Sequence, residues 1–174
     1  MKRFIHPLAL LILGCGLSGC SGDSPTSPSP ASAPTFTAVL LPANEVPAIT
    51  GAEASGSGTA NLTFNVTRDS AGTITAATLD VTVSVTGFPA GTALTGAHIH
   101  PGVAGVNGGI VVSFGLAPGE VTFATGSGSF SRAAVAVTAD QANSILANPA
   151  GFYVNIHTAA NPGGVARGQL TLTQ

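Results

Sequence analysis

The chain has 174 residues, 44% hydrophobic and only 7% charged, with five Lys and Arg against seven Asp and Glu and no Trp. So few cations supply neither a basic stripe nor an aromatic ladder for phosphates and bases, which argues against nucleic acid as a partner. They also leave no basic amphipathic helix to lie on a membrane surface.

In chain order, Lys2 and Arg3 precede the apolar run HPLALLILGCG, and small residues then lead to Cys20. This is the pattern of a signal peptide over residues 1–19, and its apolar stretch is too short for a confident membrane span. Leu17-Ser18-Gly19-Cys20 resembles the lipobox of bacterial lipoproteins. That resemblance implies cleavage before Cys20, lipidation of the cysteine, and an extracytoplasmic location in the periplasm or on the cell surface, anchored to a bacterial membrane. An ordinary secretory signal cut nearby also exports the chain. With Cys15 in the signal and Cys20 carrying lipid, no disulfide is expected within the folded part. Residues 20–34 continue as a Ser/Pro-rich linker, SGDSPTSPSPASAP after the cysteine. This composition buries too little apolar surface to fold, and at about 3.1 Å per residue it spans roughly 40 Å.

From residue 35 a single domain is expected to run to residue 174. In TLDVTVSVTG, Leu79, Val81, Val83 and Val85 alternate with Thr78, Asp80, Thr82, Ser84 and Thr86, the period-two signature of a strand with one buried face. NLTFNVT repeats the pattern with Leu62, Phe64 and Val66, and RDSAG between the two is a turn by composition, so a long hairpin is expected. Further strand candidates are TFTAVLL (35–41), ALTGAHIH (93–100), GIVVSF (109–114), a segment over 121–137 broken near Gly126, GFYVNIHT (151–158) and VARGQLTLT (165–173). Thr138-Ala139-Asp140-Gln141 fits a capping box, with Ala142, Ile145 and Leu146 at helical spacing before Asn148-Pro149, which predicts one short helix. The expected fold is all-β, an antiparallel Greek-key β-sandwich or flattened barrel of about eight strands with one helix.

Three blocks stand out: LLPANEVP (40–47), GAHIHPGVAGVNGGIVVSF (96–114) and YVNIHTAANPGGVARGQL (153–170). In this order and spacing they resemble the CHRD domain, the module first described in chordin and also found in bacterial secreted proteins. The resemblance implies an extracellular all-β module without an established activity. Two places depart from the family pattern: Pro101-Gly102-Val103-Ala104 stands where Gly-Pro-Ala often follows the second histidine, and Val165-Ala166 precedes Arg167-Gly168-Gln169 where an acid is common.

Alternation in YVNIHT puts Tyr153, Asn155 and His157 on one face, away from Val154 and Ile156; in HIH, Ile99 points inward and His98 and His100 outward. If the two strands are neighbours, His98, His100 and His157 gather on one polar surface. Three neutral imidazoles with an open position suit copper or zinc, and Asn155 or Glu45 is a candidate acceptor to fix their tautomers. An HxH strand in such a sandwich also resembles the copper-zinc superoxide dismutases, an analogy of fold that assigns no activity. The competing reading has the same histidines donating to loop carbonyls around AGVNGG and AANPGG. Glu45 and Arg167 are expected to form a structural ion pair. The serines of GSGSF and GSG lack the strand-turn-helix setting of a nucleophile, so catalytic residues are not assigned. The leading reading is a lipid-anchored binding or interaction module with a protein or glycan partner, not an enzyme; the alternative is a copper- or zinc-binding protein.

Overall fold

The computed structural model describes residues 33–174; the predicted signal peptide, Cys20 and nearly all of the linker lie outside the described residues. The described residues form two antiparallel sheets and one helix. The strands are β1 (Thr35–Leu40), β2 (Ser57–Arg68), β3 (Ile74–Thr86), β4 (Thr92–Pro101), β5 (Val112–Ser113), β6 (Thr122–Phe123), β7 (Gly128–Val137), β8 (Phe152–Thr158), β9 (Ala166–Gln169) and β10 (Thr171–Leu172), with helix α1 (Ala139–Ala147) between β7 and β8. One sheet has the order β10-β1-β2-β3-β7, and the other β5-β4-β8-β9 with β6 also on β4. The architecture is a sandwich, not a closed barrel.

The β2–β3 hairpin forms as its alternation predicts, pairing from Ser57↔Thr86 to Arg68↔Ile74 around a turn held by Asp69, whose Oδ1 accepts from the Ala71 and Thr73 amides at 2.9 Å. Leu62, Phe64, Leu79, Val81 and Val83 point inward and are buried, while Asn61, Asn65, Thr82 and Ser84 face solvent. From the opposing sheet Leu94, Ala97, Ile99, Val154 and Ile156 complete the core. Leu94 and Ile99 differ in parity, yet both are buried, because a bulge between Leu94 and Gly96 inserts an extra residue and re-aims the strand. This bulge turns His98 and His100 to the outer face while Leu94 stays in the core.

The capping box of α1 is complete: Thr138 Oγ1 accepts from the Gln141 amide at 3.2 Å and Gln141 Oε1 accepts from the Thr138 amide at 2.8 Å. Ala142 and Ile145 are its buried positions.

Two expectations change. GIVVSF is strand only at Val112–Ser113, because the segment before it is loop that folds over the second sheet. VARGQLTLT is not one strand: β9 pairs with β8 in the second sheet and β10 with β1 in the first, so the chain changes sheets at Leu170, which is buried between them. A bridge between Leu41 and Arg167 joins the sheets at this corner, where Gly168 is required because a Cβ would lie 2.0 Å from the Val39 carbonyl oxygen. The described strands number ten, three of them two-residue pairings, which fits the expected sandwich of about eight strands.

Candidate metal centre

Strand register assembles the site. Along β4 and β8, Gly96 pairs with His157, His98 with Asn155, and His100 with Tyr153; Asn155 in turn pairs with Arg167 of β9 and Tyr153 with Gln169. Paired residues share a face, so His98, His100, Tyr153, Asn155, His157 and Arg167 all project from the outer side of the second sheet.

That face is not open to water, contrary to the polar surface expected from alternation. His100, Tyr153, Asn155, His157 and Arg167 are between 2% and 8% exposed, with His98 somewhat more accessible. Loops roof them: residues 41–47 after β1, 102–111 after β4, and 159–165 after β8. Those loops carry the Gly-rich stretches AGVNGG and AANPGG, most of whose residues are exposed.

The three imidazoles converge. Ring centroids are 4.9 Å apart for His98 and His157, 5.6 Å for His98 and His100, and 5.7 Å for His100 and His157. One ring nitrogen from each lies within 4.8 Å of the other two. His100 Nδ1 is 3.0 Å from the Gly108 carbonyl and His157 Nδ1 is 3.1 Å from the Pro162 carbonyl. A carbonyl only accepts, so both Nδ1 atoms carry the proton and each Nε2 keeps its lone pair. Those two Nε2 atoms and His98 Nδ1 are buried without a hydrogen-bond partner. The loop-anchoring and metal-ligating readings are therefore compatible at His100 and His157: one nitrogen of each ring holds a loop, and the other is buried and unpartnered.

Asn155 and Glu45 are the side chains expected in the role the two carbonyls fill. Asn155 lies beneath Gly164, with its Nδ2 3.5 Å from the Gly163 carbonyl, and Glu45 sits beside Arg167. Neither accepts from a histidine. Backbone carbonyls win because the loops lie directly over the rings, and carbonyls have no residue identity that sequence inspection could use.

Electrostatics keeps the rings neutral. Burial, followed by the neighbouring His157 and His100, lowers the His98 pKa to about 4. Burial also lowers those of His100 and His157, with the carbonyl bonds opposing it in part. A neutral imidazole is the form that binds a metal.

Arg167 and Glu45 are both buried, but Arg167 Nε is 3.9 Å from Glu45 Oε2, too long for a good hydrogen bond. The guanidinium spends its shorter bonds on the roof: Nε donates to the Asn44 carbonyl at 2.6 Å and Nη1 to Asn107 Oδ1 at 2.7 Å. It also lies over Tyr153, 4.8 Å from the ring centroid, and Tyr153 stacks on His100 at 5.1 Å. Burial pushes the Glu45 pKa up to about 7, with Arg167 and then the Asn155 amide offsetting part of the rise. Arg167 thus ties loops 41–47 and 102–111 together, and the second of these supplies the carbonyl that orients His100.

Two contributors escape a residue-type search. Gly96 leaves room for the His98 ring, since a Cβ there would lie 2.8 Å from His98 Cε1. Its position two residues before His98, on the same face, is the signal. The Tyr153 hydroxyl accepts from the Gly108 amide at 3.1 Å and so steadies the peptide segment that holds His100.

No curated protein and no solved structure matches the chain. The model of one family, described as the CHRD domain, matches residues 36–170, which include β2 to β9 and the histidine site. The chain therefore belongs to the CHRD domain family.

Proposed function

We propose that this domain binds one copper or zinc ion through His98, His100 and His157, and that a lipid on Cys20 holds it at a bacterial membrane outside the cytoplasm. The observation that carries the metal reading is the set of three buried, unpartnered ring nitrogens, His98 Nδ1, His100 Nε2 and His157 Nε2. Leaving a buried polar atom unpaired costs about 1–3 kcal/mol, and a shared cation would satisfy all three at once. The donor set fits: metal–nitrogen bonds of about 2.0–2.1 Å place tetrahedral ligands about 3.4 Å apart, so separations of up to 4.8 Å need a contraction of at most about 1.4 Å. Three neutral imidazoles leave a position open for water or another ligand. By the Irving–Williams order copper(II) should bind more tightly than zinc. The anchoring reading rests on the likeness of Leu17–Cys20 to a lipobox.

The test is metal content by mass spectrometry together with calorimetric titration, on the parent and on a His98→Ala/His100→Ala variant. About one ion per chain in the parent, lost in the variant while folding persists, is the expected result. No uptake of either ion by the parent would overturn the proposal. It would favour the interaction-module reading, for which the exposed Val103, Val106 and Ile110 of the 102–111 loop offer an uncharged surface to a protein or glycan partner.

A further inference from the structure

His100 and His157 depend on the two loops that supply their carbonyls, and the loops are anchored differently. Loop 102–111 is tied to Arg167 and, through Asn107 Nδ2, to the Val46 carbonyl at 2.8 Å. The loop after β8 is short and glycine-rich, with Gly163 and Gly164 directly following Pro162. Its own bonds are local: the Asn161 amide to Thr158 Oγ1 at 3.1 Å and the Gly164 amide to the Asn161 carbonyl at 3.1 Å.

One carboxylate from a remote part of the chain reaches this loop. Glu53 lies on a 3-10 turn, Ala52–Ser55, between β1 and β2. Its Oε2 accepts from the Thr158 hydroxyl at 2.8 Å and from Asn161 Nδ2 at 2.5 Å. The first bond uses the Thr158 proton, which turns that oxygen's lone pair to the Asn161 amide. The second fixes Asn161, the residue immediately before Pro162. Glu53 therefore locks both ends of the four-residue step that leads from β8 to the carbonyl over His157.

We infer that Glu53 is a positioning residue for the metal centre: by clamping Thr158 and Asn161 it aims the Pro162 carbonyl at His157 Nδ1 and so presents Nε2 to the ion. This rests on the three-histidine reading for its consequence, but not for its geometry. The electrostatic attraction of a carboxylate for a cation is not the source of the effect, since Glu53 acts through two hydrogen bonds and a loop. Outer partners that orient a ligating imidazole are worth about 10–100-fold in metal affinity. Glu53 is one step further out, so about a 10-fold loss is expected on its removal.

The test compares the parent with Glu53→Ala and Glu53→Gln, and uses Asp69→Ala, which cuts a turn in the other sheet, as a control for general loosening. Side-chain nitrogen NMR of the metal-free proteins reads the His157 tautomer directly. The proton should sit on Nδ1 in the parent, in Asp69→Ala and in Glu53→Gln, which keeps an acceptor oxygen, and should redistribute between the nitrogens in Glu53→Ala. Competitive titration with copper(II) and with zinc should show the 10-fold weakening in Glu53→Ala alone. An unchanged tautomer in Glu53→Ala, or no rescue by Glu53→Gln, overturns the inference. If the parent binds neither ion, the metal reading fails by itself, and the tautomer comparison still decides whether Glu53 positions His157.

Discussion

The outer faces of the two sheets read alike along the chain and end in different environments. On the first sheet, Asn61, Asn65, Thr82 and Ser84 alternate with buried aliphatics and remain in water. On the second, His100, Asn155, His157 and Arg167 alternate with buried aliphatics in the same way, yet are themselves buried under three loops. Removal of water makes the difference chemical. It lowers the His98 pKa to about 4 and raises that of Glu45 to about 7, whereas polar groups on the wet face need only solvent as a partner. Dry polar groups require partners, and where protein atoms do not supply them a ligand is the natural candidate.

The largest effect expected from a single change lies in the shared core, where the comparison predicts damage to the fold without selective damage to the site. Phe64, fully buried in the first sheet, should cost about 3–5 kcal/mol on replacement by alanine, read from urea unfolding. Metal stoichiometry below the transition should be that of the parent. Loss of binding in a variant that is still folded would mean that the two faces are less independent than their hydrogen bonds indicate.

A change confined to the roofed face should do the reverse. Gly96→Ala puts a methyl against the His98 ring and should weaken copper or zinc binding about 10-fold, with metal-free stability within about 1 kcal/mol of the parent. Equal affinity in the two proteins would show that His98 has other room to turn and that Gly96 is not needed for the site.

The last effect is a slope with pH in the metal-free protein. His98 titrates near 4 in the folded chain and at an ordinary 6.5 when unfolded, so between these values the unfolded state binds more protons. The associated stability is fully present above pH 6.5 and is lost as pH falls towards 4. Glu45 runs the other way: its folded value of about 7 exceeds the ordinary 4.5, so its contribution is present below pH 4.5 and lost as pH rises through 7. Glu45→Gln removes that opposing slope and should make stability climb more steeply from pH 5 to 6.5. Parallel curves for the two proteins would show that Glu45 is not held protonated by burial.

Much of the fold could be read locally. The β2–β3 hairpin follows from Leu79, Val81, Val83 and Val85 alternating with polar neighbours, and α1 from a capping box that forms as written. VARGQLTLT reads as one strand because its alternation is the same before and after Leu170, and nothing local marks the change of sheet. GIVVSF reads as a longer strand for a related reason: apolar residues at 110–112 suit a strand, but only Val112–Ser113 pair in register with β4, flanked by single bonds from the Val111 and Phe114 amides to the Ile99 and Ala97 carbonyls.

For the site, the sequence by itself determined which side chains share a face, because side-chain direction in a strand is a matter of parity. His98 with His100, and Tyr153 with Asn155 and His157, follow from that rule alone. Tertiary structure decided that β4 and β8 are neighbours, that loops rather than water cover their outer face, and that carbonyls of Gly108 and Pro162 select the tautomers. The physical reason is that every residue carries the same carbonyl. Which one reaches an imidazole is set by the path of the backbone through space, and contacts as distant in sequence as that of Glu53 with Thr158, 105 positions apart, bear on that path.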